Sequence, residues 1–185
     1  MSLELFGYND AINLLNDFQN DEYLLRFINK FSLFAEINTI FNSDLSSNFI
    51  YNDTPLISDM SYYYNSKLID LQHNIYYASK NKFVYFIIND YYCHSLFITL
   101  LSNPSAHVLF TVENNQNKVN KSINLLKKTF NTASIEYHEI DLSYIINIVS
   151  KFGFDLIIYN RNNHKDEEEY IVCLNEISNK NLIIL

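Results

Sequence analysis

The sequence predicts an α/β protein, a Rossmann-like, doubly wound, mostly parallel sheet of about five strands with an N-terminal helical appendage. Three observations predict it. From residue 83 onward, short apolar runs alternate with helical patterns in regular order, which implies crossover connections between parallel strands. Several of those runs are apolar at successive positions, as expected of strands covered on both faces. Before residue 60 the apolar residues instead recur three and four apart, the period of an amphipathic helix.

In residues 9–42, Ile12, Leu14, Leu15 and Phe18, then Leu24, Leu25, Phe27, Ile28, Phe31 and Phe34, fall on one helical face. Asp21 and Glu22 stand where the second helix should begin, and their charge suits its positive end. A polar segment at 43–59 breaks the period, with Pro55 marking a turn. The expected boundary follows, giving a helical region over 1–60 and an α/β domain over 61–185. Tyr62 to Ala78 resumes a helical pattern.

The strands are FVYFII (83–88), HVLFTV (107–112), SIEYHEI (134–140), FDLIIY (154–159) and NLIIL (181–185). Helical patterns lie between them at 91–102, 115–130, 143–151 and 165–178. The final strand reads LIIL, and two readings of it stand: either the domain is a trimmed version or something else covers that edge, since an uncovered strand there would invite pairing with another chain in a homo- or hetero-oligomer.

Composition excludes several classes of function. A net charge of −8 with 13 Lys and Arg leaves no basic stripe for nucleic acid. No apolar run approaches the ~20 residues of a membrane helix, and the N-terminus lacks a basic segment followed by an apolar core. A cytoplasmic protein with no membrane or nucleic-acid partner is the expectation. Cys93 and Cys173 are too few for a disulfide framework and form no zinc spacing.

In open α/β sheets a ligand lies beyond the carboxyl ends of the strands, so the residues after each run carry the functional information. Glu113 follows the second run and can accept hydrogen bonds from both ribose hydroxyls of a nucleotide; capping the next helix is the competing role. Asp141 follows the third and suits an adenine amino group or an N-cap. Asn89 and Asp90 follow the first, where glycines usually let the backbone approach a ligand. Both tolerate the left-handed region better than most residues, but Asp90 sets a negative charge against any phosphate or carboxylate.

Cys93 and His94, adjacent on a helix, do not face one another as a nucleophile and base would. His164 with Asp166, Glu167, Glu168 and Glu169 admits a metal site, but reads better as a solvated, carboxylate-rich helix start.

Three segments carry a family resemblance: SYYYNSKLIDLQ at 61–72, FVYFIINDYYCHSLFITLL at 83–101, and FDLIIYNRNNHKDEEEYIVCLNEISNKNLIIL at 154–185. In them and in its order of elements the chain resembles the class I S-adenosylmethionine-dependent fold. Within that fold it is similar to the nicotianamine synthase family and its bacterial relatives that make opine metallophores. The resemblance implies transfer of the aminobutyrate part of S-adenosylmethionine onto an amine or amino acid. Glu113 would then hold the ribose, Asp141 the adenine, and Asn89 and Asp90 the methionine end. Tyr62, Tyr63 and Gln72 would line the acceptor pocket. The chain departs from the family at two places. Ile88 to Tyr92 replace its glycines and prolines, and the nearest equivalent of its active-site glutamate is Gln72, which can hydrogen-bond an amine but cannot take its proton. Two other readings compete: a non-catalytic binding or regulatory partner that has lost the cofactor site, and an unrelated doubly wound protein such as a receiver-like or glycosyltransferase-like domain.

Overall fold

The computed structural model describes residues 21–45, 50–51, 54–55, 66–112, 116–139, 142–161, 167–177 and 181–185. The chain divides into two compact units, Met1–Asn74 and Ile75–Leu185.

In the first unit, α1 (Glu22–Asn29) and α2 (Phe31–Leu45) follow one another across Lys30. Asp21 caps α1, its Oδ1 accepting the Leu24 amide at 3.2 Å, and Arg26 pairs with Glu22 one turn away at 2.9 Å. Of the predicted face, Leu24, Phe27 and Phe34 are buried and Leu25 is half-buried, while Tyr23, Leu33, Ile37 and Phe41 are buried beside them; Ile12, Leu14, Leu15 and Phe18 lie outside the described residues. Two short strands, β1 (Ile50–Tyr51) and β2 (Thr54–Pro55), pair antiparallel, with Ile50 opposite Pro55. Pro55 therefore ends a strand rather than marking the turn itself. Helix α3 (Ser66–Ser79) follows, its residues to Asn74 in this unit and those from Ile75 in the second.

The second unit is built on β3 (Val84–Ile88), β4 (His107–Thr111), β5 (Ser134–His138), β6 (Leu156–Tyr159) and β7 (Leu182–Ile184). They form one sheet in the order β5-β4-β3-β6-β7, and every pairing is parallel. Helices α4 (His94–Ser102), α5 (Gln116–Thr129), α6 (Leu142–Lys151) and α7 (Glu167–Ile177) alternate with the strands. This is the Rossmann-like architecture. The chain winds outward from β3 through β4 to β5, then crosses to β6 on the other side, which makes the carboxyl end of β3 the switch point.

On one face, Phe86, Ile88, Ile157 and Tyr159 pack with Ile145 and Val149 of α6 and Ile171 and Leu174 of α7. The alternating residues Tyr85, Ile87, Val108, Phe110, Ile135, Leu156 and Ile158 are buried as well, so the central strands are covered on both sides. Asp155 fastens the sheet at its other end, Oδ2 accepting the Phe83 and Val84 amides at 2.9 Å each. Among the described residues no helix is long and apolar enough to cross a membrane.

Candidate functional site

At the switch point β3 is held from both neighbours. The Asn89 amide donates to the Thr111 carbonyl at 2.9 Å, and the Asn160 amide donates to the Ile88 carbonyl at 3.0 Å. The chain must then turn into α4 within five residues, 89–93. It does so with Asn89 and Cys93 both at φ 58°, in the left-handed region that a glycine would occupy at no steric cost. Two bonds close the turn on itself: the Tyr91 amide donates to the Asn89 carbonyl at 3.0 Å, and the Cys93 amide to the Asp90 carbonyl at 3.1 Å.

Asp90 lies at the centre of this turn and is only 3 % exposed. Its Oδ1 accepts the His94 amide at 3.1 Å and its Oδ2 the Leu96 amide at 2.9 Å. Those amides belong to the first turn of α4, where the backbone donors have no partner within the helix and the dipole favours an anion. A Rossmann-like sheet offers this terminus to a ligand's anionic group. Here the chain's own carboxylate occupies it. Burial pushes Asp90 up to about 6, although bonds from the Leu96, Ser95 and His94 amides act in the opposite direction.

The neighbouring groups are equally enclosed. Burial brings the His94 imidazole down to about 4, so it is neutral at physiological pH. Burial, with the Asp90 charge second, pushes the Cys93 thiol up, away from the thiolate that a nucleophile requires. Asn89 Nδ2, Ser95 Oγ and Thr111 Oγ1 are buried without a hydrogen-bond partner.

Of the residues singled out from the sequence, Asn89 and Asp90 stand together in this turn. Gln72 belongs to the first unit, where it is buried and its Oε1 accepts the Tyr23 hydroxyl at 2.6 Å. The Tyr23 ring meets His73 edge-on at 5.0 Å, and His73 Nε2 lies 2.8 Å from Asp21 Oδ2. Gln72 is thus part of a polar interior network of its own unit. Tyr62, Tyr63, Glu113, Asp141, His164 and Asp166 lie outside the described residues.

The turn does not fit S-adenosylmethionine as it stands. A methionine carboxylate could reach the α4 amides only by displacing Asp90, which already accepts from two of them.

A second feature lies on the sheet rather than at its end. A groove of about 750 Å³ runs along β4 and β5 beside α6. Its floor is Val84, Leu109 and Phe154, and its helix side is Tyr144, Ile148 and Phe152. Glu136 and His138 of β5 and Glu139, the residue after it, also line the groove. Glu136, His138 and Glu139 all fall inside the run 134–140 rather than after it, so a rule that looks beyond strand ends does not reach them. The signal that could have found them is the alternation in SIEYH, polar at Ser134, Glu136 and His138, which marks a strand with one uncovered face.

No protein-family model, curated protein or solved structure matches the chain.

Proposed function

We propose that the Ile75–Leu185 unit is a non-catalytic Rossmann-like binding module, a sheet whose switch-point turn serves its own folding rather than an aminobutyrate transfer. The observation that carries this reading is the Asp90 carboxylate on the His94 and Leu96 amides, at the terminus where a cofactor's anionic end would sit. Two further observations support it. The turn is closed by two left-handed residues that are not glycine, and the Gln72 amide oxygen is engaged by Tyr23 instead of facing an acceptor amine.

In this reading the chain acts through what it holds. Strand β7 lies at the sheet edge with Leu182, Ile183 and Ile184 half-buried, and a strand from another chain or a second copy against it is the expected macromolecular contact. Light scattering tests self-association: a monomeric mass at every concentration argues against a homo-oligomer.

The test of the main reading is calorimetric titration with S-adenosylmethionine, its demethylated product and methylthioadenosine. The expected result is no saturable binding of any of the three. Micromolar binding that disappears in Glu113→Ala would overturn the proposal and restore the transferase, with an acceptor screen beginning at histidine and other amino acids.

A further inference from the structure

Strand β5 differs from the strands near the centre of the sheet. VYFII and LIIY are apolar at every position, whereas SIEYH sends Ile135 and Tyr137 to one face and Ser134, Glu136 and His138 to the other. The parallel register sets Ser134 beside His107, Glu136 beside Leu109 and His138 beside Thr111. On β3, Phe86 pairs with Leu109, so this polar row shares the face that carries the Phe86 core. Helix α6 turns Ile145 and Val149 onto β3 and β6, and the row on β5 is left uncovered by that core. A missing layer of core is a poor account of this face, because an apolar layer laid over Glu136 and His138 would strip water from a carboxylate.

The groove formed there is lined by two unlike sets of residues. Tyr144 and Phe152 are each 62 % exposed, a large aromatic area for side chains that a monomer has reason to bury. Phe154 is fixed beneath them by stacking on Phe86, centroids 5.1 Å apart. The carboxylates of Glu136 and Glu139 line the same groove, and no Lys or Arg is among the described residues that line it. His138 Nε2 stands 3.9 Å from Glu136 Oε2, close enough for an ion pair with a protonated imidazole but beyond hydrogen-bond reach.

We infer that this groove binds a small organic cation, an amine carried on an aromatic or short alkyl body. The body lies on Leu109 and Phe154 between the aromatic rings, and the ammonium donates to Glu136 and Glu139, bonds strengthened by charge on both partners. The ring faces of Tyr144 and Phe152 add attraction for the cation. The same carboxylates exclude an anion of equal shape. The volume is that of a small-molecule site, within the ~300–1,000 Å³ such sites occupy. This inference deepens the binding-module reading by naming a ligand class. The two fail separately, because the groove does not use the Asp90 turn.

Two-dimensional amide NMR with 2-phenylethylamine, phenylacetate and 2-phenylethanol as probes tests it. The amine should shift the Leu109, Glu136 and Phe154 amides saturably, the alcohol should bind at least tenfold more weakly, and phenylacetate should not bind. A Glu136→Gln, Glu139→Gln double variant, altering exposed side chains, should weaken the amine tenfold or more. Gly153→Leu should abolish binding with folding retained, since a Cβ at Gly153 meets nothing within 4 Å and its backbone is not left-handed. Absence of saturable amine binding, equal binding of phenylacetate, or unchanged affinity in the double variant would each overturn the proposal.

Discussion

The Oδ2 atom of Asp90 accepts the amide hydrogen of Leu96 at 2.9 Å, six residues along the chain and inside the first turn of α4. With the bond from His94 to Oδ1, one side chain satisfies two donors that the helix itself cannot. A turn without glycine thereby starts a helix that is buried from His94 to Leu101.

Removing the carboxylate leaves both amides unpaired in the interior. Asp90→Ala should lower stability by about 1–3 kcal/mol, the usual cost of buried donors left without partners. A urea denaturation midpoint measures it, and an unchanged midpoint would mean that water takes over both bonds.

The pH dependence of stability should show two opposing contributions. Asp90 is raised to about 6, so its contribution is fully present below its unfolded value near 3.8 and is lost as pH rises through about 6. His94 is lowered to about 4 from 6.5, so its contribution is present above 6.5 and is lost as pH falls through about 4. Between about 4 and 6 the two nearly cancel. Denaturation of Asp90→Asn should show stability rising with pH across that window, and of His94→Gln stability falling. Parallel slopes in the two variants would contradict the assignment.

Asn89 combines a left-handed backbone with a buried amide nitrogen that has no partner. Asn89→Gly removes both costs and should raise stability by about 1 kcal/mol, net of the side chain's lost packing. A lower melting temperature would show that the side chain contributes more by packing than its backbone costs.

Asp155 works at the opposite end of the sheet. The bonds from the Phe83 and Val84 amides hold its carboxyl below the usual range, so its contribution is present above pH 3.8 and is lost as pH falls through its lowered value. Asp155→Ala should destabilise by about 1 kcal/mol at neutral pH and by less in acid, because the site is largely exposed and water can replace the lost acceptor. Denaturation at two pH values separates the cases.

In the first unit, Tyr23→Phe and Gln72→Leu form a cycle. A coupling of about 1 kcal/mol is expected for the 2.6 Å bond between them, and additive effects would show that it contributes nothing to stability.

The sequence by itself determined the sheet. Runs such as VYFII and LIIY, broken by helical periods, admit little besides parallel strands with crossovers, because the burial of each residue is set by a local period. It also located the switch point, since the end of an apolar run is a local feature, and it flagged the missing glycines at Asn89 and Asp90. Tertiary structure alone decided what those residues do. Whether Asp90 faces a ligand or its own helix depends on a turn geometry that no periodicity encodes. The partner of Gln72 lies 49 residues away at Tyr23. The groove on β5 depends on which strands α6 covers, and that follows from the packing of Ile145 and Val149 onto β3 and β6 rather than from any pattern within β5. Local periods fix which residues are buried; contacts between distant segments fix what the remaining polar groups meet.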